Sequence, residues 1–288
     1  MDRMRIGRRR RWSKGKSMLF LLLLPLFTEK MEKTFYSAAD GGEVEEVKSI
    51  LRKNPSLNVN WKNKKAGAYT ALSAACYNGH DSVVSILLAH PDIDPNSKHK
   101  DGDTPFFISC WNGNLSCVRL LLQDQRVMVN EPNNDGRIPL WVAAINGRHD
   151  MIKLWIVSGR EMNLGKPGDV YTTDAIGAAT SHKNTAVVSL LENVKSDATK
   201  TRHAMRVELG WYDEAAAEMF ALVVFVSDGL LQVNETTPSP AARFIGIAKR
   251  LPLELQMVLC RRVVGSDKEI IPGKDSEVAF KELARRLW

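Results

Sequence analysis

An all-α solenoid built from stacked two-helix units is the fold class this sequence predicts, and three observations predict it. One pattern of apolar residues recurs at a spacing of 34 residues. Within most copies a Gly separates two helical stretches, and between copies run turn-rich segments. Each unit is too small to bury its own apolar face, so stacking on its neighbours must supply the core.

The clearest unit runs from Thr70 to Leu88, TALSAACYNGHDSVVSILL. Thr70 can cap a first helix whose face carries Leu72, Ala75 and Cys76, and Gly79 ends it. His80 and Asp81 open a second helix with Val83, Val84, Leu87 and Leu88. The pattern returns from Thr104 to Leu122, with Pro105 at the favoured first helical position, and again from Ile138 to Ile156. A weaker copy spans Lys33 to Leu51 and keeps Ala38, Ala39, Gly42, Val47, Ile50 and Leu51 in register. A fifth, Thr173 to Leu191, keeps Ala178, Ala179, Val187, Leu190 and Leu191 but is read with His182 where the others have Gly.

These copies resemble the ankyrin repeat family through its pattern TPLHxAAxxGHxxVVxxLL, over roughly Lys33 to Val194. The resemblance implies a solenoid with short β-hairpin fingers, used to hold another protein. It departs from the family at the first-helix His, whose place is taken by Tyr36, Ser73, Phe107, Trp141 and Ile176. The segments Ser56 to Tyr69, Asp92 to Asp103 and Val127 to Arg137 have Gly, Asn and Asp at their tips and are expected to be the fingers. Glu161 to Tyr171 is longer. Its Gly-Lys-Pro-Gly lacks the four-residue spacer and the hydroxyl of a phosphate-binding loop.

The formal net charge is +7, but Met1 to Lys16 hold eight basic residues and one acid, so the rest of the chain is neutral overall. A neutral body carries no electrostatic footprint for nucleic acid. Met18 to Phe27 is an apolar run of ten residues, too short to cross a bilayer core of about 30 Å as a helix. A basic flank with a short apolar run fits a secretory signal, yet Phe27 to Lys30 offer no small-residue cleavage pattern. Four unpatterned cysteines, Cys76, Cys110, Cys117 and Cys260, suit a reducing compartment. The expectation is a cytoplasmic protein whose translation starts at Met31, so that the first thirty residues are an extension outside the native protein ahead of repeats at residues 31–195, with a secretory signal or membrane anchor, or a nuclear tag, as alternatives.

After Val194 the pattern stops. Ala198 to Leu209 and Asp213 to Leu231 read as helices, the latter with the apolar run Met219 to Val226 expected to be buried in a helical cap (196–232). A linker (233–240) contains Thr237 to Pro240, TPSP, where Ser239 and Pro240 suit a helix start. A C-terminal module (241–288) follows, with three helical stretches. Leu251 to Cys260, LPLELQMVLC, resembles the opening of an F-box. That resemblance implies recruitment of a cullin-type ubiquitin ligase through its adaptor subunit; a plain structural cap is the other reading of the same residues.

Nothing in the pattern points to catalysis, and no enzyme activity, cofactor or metal is expected. His80-Asp81 and His149-Asp150 lie at helix-to-helix turns, where such residues make capping hydrogen bonds. The histidines and cysteines lack zinc spacing. What remains is recognition of another protein by a scaffold or adaptor, with ligase substrate recruitment and a membrane-tethered ankyrin protein as alternatives. By the resemblance, the two residues after the small pair face the binding side: Tyr77 and Asn78, Trp111 and Asn112, Ile145 and Asn146. Aromatics beside hydrogen-bonding Asn have the composition of an interface hot spot. The finger residues beside that column are Tyr69, Lys100, Asp101, Asp103, Asn134, Asp135 and Arg137, whose mixed charges suit a protein partner rather than a polyanion.

Overall fold

A computed structural model describes residues 28–165, 174–227, 244–245, 247–248, 251, 253–264, 278–279 and 281–283. The basic and apolar N-terminal runs, the Gly-Lys-Pro-Gly segment and the TPSP segment lie wholly or mostly outside them. The chain divides into two compact units, one ending at Ser196 and the other beginning at Asp197.

The first unit is five helix pairs. They are α1 (28–40) with α2 (Val44–Lys53), α3 (Ala71–Asn78) with α4 (Asp81–Leu88), α5 (Pro105–Asn112) with α6 (Leu115–Gln123), α7 (Pro139–Ile145) with α8 (His149–Ser158), and α9 (Ala175–Ser181) with α10 (Thr185–Ser196). First helices α3, α5, α7 and α9 pack in sequence, and second helices α2, α4, α6, α8 and α10 pack behind them. The apolar positions of the repeat face inward: Leu72, Val83, Leu87, Phe106, Leu121, Leu140, Ile152, Trp155 and Leu191 are all buried. Each such Leu contributes about 1.5–3 kcal/mol by leaving water. Trp155 meets Phe106 edge to face, with centroids 5.0 Å apart.

Local sequence sets the helix ends. The hydroxyl oxygens of Thr70 and Thr104 accept from the amides of Ser73 and Phe107 at 3.1 and 3.2 Å. Each satisfies a donor that the first turn leaves open. Ile138 cannot do this, and α7 begins instead with Pro139, which has no amide to satisfy.

The fifth copy corrects the sequence register. Its cap is Asp174, whose carboxylate accepts from Gly177 at 2.7 Å, and not Thr173. The left-handed residue that ends its first helix is Lys183, at φ 59°, while His182 keeps a negative φ of −96°. The whole copy is therefore shifted by one residue, because its small pair, Ala178 and Ala179, takes the places of Ala74 and Ala75.

The fingers are hairpin-like turns, each closed across its base by one backbone bond. Asn63 donates to Tyr69 at 2.9 Å, His99 to Asp103 at 3.2 Å and Asn133 to Arg137 at 3.0 Å. Among the described residues the only bridge of β type is Asn63 with Tyr69. The turn residues bend the chain before a ladder can extend.

In the second unit α11 (Ala198–Glu208), α12 (Trp211–Ser227) and α13 (Leu253–Val263) are the long helices. Ala216, Ala217, Phe220, Ala221 and Val223 of α12 are buried with Ala248, Cys260 and Ala279, and Met257 and Leu259 lean on that cluster. The Arg261 side chain is fully buried and pairs with the Asp213 carboxylate. No helix among the described residues is long and apolar enough to cross a membrane.

Candidate functional site

Two sets of side-chain bonds, both repeating with the copies, hold the face on which the expected residues stand. In the fingers the carboxamides of Asn60, Asn96 and Asn130 each donate to one backbone carbonyl of the next finger and accept from a nearby amide. The pairs are Asp92 with Asp94 (2.7 and 2.8 Å), Arg126 with Met128 (2.8 and 2.7 Å) and Glu161 with Asn163 (3.1 and 3.0 Å).

At the helix turns the residue after the left-handed position reaches back one copy. His80 Nε2 meets the Asp40 carbonyl at 3.0 Å, Asn114 donates to Cys76 and Tyr77, Arg148 to Trp111 and Asn112, and Asn184 to Ala144 and Ile145. Carbonyls left open at a helix end are thereby satisfied by the following repeat. His80 fits the expectation of a capping residue. The matching position in the fourth copy is Arg148, and His149 only touches its neighbour Asp150 at 3.4 Å.

These turns need close approach. A Cβ on Gly113 would lie 2.5 Å from the Arg148 guanidinium carbon, at a φ of +81° that already disfavours other residues.

On this face Tyr69, Tyr77, Asp101, Asp103, Trp111, Asn112, Asp135 and Arg137 line one cavity of about 290 Å³. Tyr77 and Trp111 are 52% and 44% exposed, large figures for such side chains. Five other expected residues do not line it. Asn78 is spent on Asp40, donating to its carbonyl and carboxylate at 3.0 and 2.9 Å. Lys100 and Asn134 join finger to finger, the Asn134 amide group donating to the Lys100 carbonyl at 3.0 Å. Ile145 is half-buried at the end of α7, and Asn146 bonds back to the Val142 carbonyl at 3.0 Å. The column of three apolar side chains expected from the repeat is thus two exposed aromatics and one half-buried Ile.

The cavity also contains residues that sequence reasoning missed: His99, Phe107, Ile108 and Asn133. Phe107 stands at the position of the family's first-helix His. His99 is the central one. Its ring is buried, its Nδ1 accepts from the Asp103 amide at 3.1 Å, and Nε2 therefore carries the proton. That Nε2 lies 3.3 Å from Asp101 and 3.5 Å from Asp103.

Tyr69 packs against this ring, centroids 4.6 Å apart, and meets Tyr77 at 6.0 Å and 89°. Burial, with the charge of Asp103 added, pushes the Tyr69 hydroxyl up to about 12. Burial also raises the Asp103 carboxyl above its ordinary value, against a hydrogen bond from Asn133 at 2.9 Å that lowers it. A histidine lying 34 residues before a finger Asn (His99 and Asn133) is the only sequence signal that could have pointed here.

Despite the His with two carboxylates, no group of three or more His, Cys, Asp or Glu among the described residues could hold a metal ion. An Nε2 that carries the ring proton has no lone pair to offer a metal.

The fold is that of a repeat protein whose units are helix–turn–helix pairs with a projecting finger. A family model of ankyrin repeats, in three copies, matches residues 34–131 and 90–166, and that stretch is ankyrin repeats. No curated protein matches the chain. Ankyrin repeats are generally protein–protein interaction modules, and the family is typically non-catalytic.

Proposed function

We propose that this protein is a non-catalytic scaffold or adaptor whose repeats hold a partner protein against the face formed by the first helices and finger turns. One observation carries the reading: Tyr77 and Trp111, two of the residue types that dominate interface energetics, stand exposed along a cavity lined by rings and carboxylates. The surrounding hydrogen bonds keep their backbone fixed, which lowers the ordering cost of binding. Four buried cysteines that form no disulfide support work in a reducing compartment such as the cytoplasm.

Replacing both Tyr77 and Trp111 by Ala is expected to weaken partner capture about tenfold or more, with circular dichroism unchanged. Undiminished capture by a folded double variant would sink the reading.

A second reading is favoured by Leu255 and Val263, each 52% exposed on α13. Leu251 to Cys260 would then offer an apolar strip to the adaptor subunit of a cullin-type ligase. Met257, Leu259 and Cys260 are engaged in the unit's own core, so little of the motif is left outward. Glu at both 255 and 263 would abolish recovery of ligase subunits if the strip recruits them, and would change nothing if it does not.

A further inference from the structure

We propose that the cavity between the second and fourth repeats receives an arginine side chain of the partner protein, an inference that rests on the recognition reading above. Its walls are aromatic. Tyr69 and Tyr77 meet at right angles, so two ring surfaces form a corner, and Trp111 lines the same space. Ring faces attract a cation, most strongly once water is excluded.

The polar lining is acidic. Asp101, Asp103 and Asp135 face a single lining cation, Arg137, which lies 3.7 Å from Asp135 and over the Trp141 ring at 5.8 Å. The single His99 Nε2–H faces Asp101 at 3.3 Å and Asp103 at 3.5 Å and can serve only one of them at a time, while Asn133 donates to Asp103. A carboxylate has about four acceptor positions, so both keep capacity for further donors.

A guanidinium meets both demands at once. It is flat enough to stack in the aromatic corner and donates a fork of N–H groups to carboxylates. An ammonium lacks the flat face, and a quaternary methylammonium would leave carboxylates without donors. At about 290 Å³ the cavity falls just below the ordinary range for small-molecule sites, which favours one inserted side chain over a free ligand. The Tyr69 hydroxyl is raised first by burial and then by the charges of Asp103 and Asp101, in keeping with an enclosed acidic corner.

The test uses the full chain and the indole N–H resonance of Trp111, identified with Trp111→Phe. Nα-acetyl-arginine methylamide is titrated, with the citrulline and lysine methylamides as controls. A saturable shift is expected with arginine, and binding about tenfold weaker or worse for citrulline, which keeps the shape and loses the charge. Asp101→Asn with Asp135→Asn should give a similar loss while the remaining indole signals hold their positions. Equal or tighter binding of either control, or no saturable shift, would overturn the inference even if that variant failed to fold.

Partner capture separates the two readings. Loss with the Tyr77 and Trp111 double variant but not with the two Asp→Asn changes leaves recognition standing and removes the arginine. Loss with neither removes both.

Discussion

In the repeats every described stacking step is tied by a side chain bonded to the backbone of the adjacent copy, at Asn60, Asn96 and Asn130 in the fingers and at His80, Asn114, Arg148 and Asn184 at the turns. The second unit instead seats the Arg261 guanidinium in its core against Asp213. Most of these ties are neutral amides, with Arg148 the charged exception, and each neutral one carries a small part of the stability, about 0.5–1.5 kcal/mol. A buried charge concentrates its cost and its return at one place. The repeats should therefore tolerate single losses that the second unit does not.

The largest expected effect is at that pair. Arg261→Met removes the buried guanidinium that pairs with Asp213 and should destabilise the second unit by about 3 kcal/mol. Thiol labelling read by peptide mapping checks this, because Cys260 is buried in that unit, its thiol pushed up to about 11, while Cys76, Cys110 and Cys117 are buried in the repeats. Labelling of Cys260 alone should speed up by roughly two orders of magnitude. Equal acceleration at all four would mean that the two units open together, and the contrast would be lost.

Next in size are two opposite changes at equivalent turns. Gly113→Ala puts a Cβ against the Arg148 guanidinium at positive φ and should cost about 1–2 kcal/mol. Lys183→Gly relieves the left-handed strain in the fifth copy and should gain up to about 1 kcal/mol. Urea midpoints that shift in opposite directions at constant slope are the expected result. A destabilised Lys183→Gly would show that its side chain has contacts worth more than the strain.

The smallest effect concerns Asp103. Burial raises its carboxyl in the folded protein, so ionisation is less favourable folded than unfolded. Its contribution is complete below the ordinary carboxyl value of about 3.9 and is lost as pH rises through the folded value. Relative to wild type, Asp103→Asn should gain stability from about pH 4 upward and then level off. Paired denaturation curves across that range would show a flat difference if the carboxylate were fully compensated by His99 and Asn133.

Much of this was legible in the residues. Thr70 and Thr104 as caps, Gly79 and Gly113 as left-handed ends, and the buried face of Leu72, Val83 and Leu87 all follow from short-range preferences that each copy states again. Eight of the thirteen expected binding residues do line the cavity. The five that do not are mainly polar residues spent on the backbone, such as Asn78 on Asp40, and composition cannot separate such an Asn from one waiting for a partner. In the fifth copy the Gly that marks the turn is missing, so the pattern alone points to His182, whereas the backbone places the left-handed residue at Lys183.

By itself the sequence determined the helix pairs, most of their ends and their inward faces, because those properties depend on neighbours within one or two turns. Only the tertiary structure decided what passes between copies. The Asn bonds from finger to finger, the reach of Arg148 to Trp111, and the placing of His99 between Asp101 and Asp103 under the Tyr69 ring are set by distances across stacked backbones. A one-dimensional pattern holds the residues for such contacts but not the separations, and those separations decide which polar groups are used up by the fold and which remain for a partner.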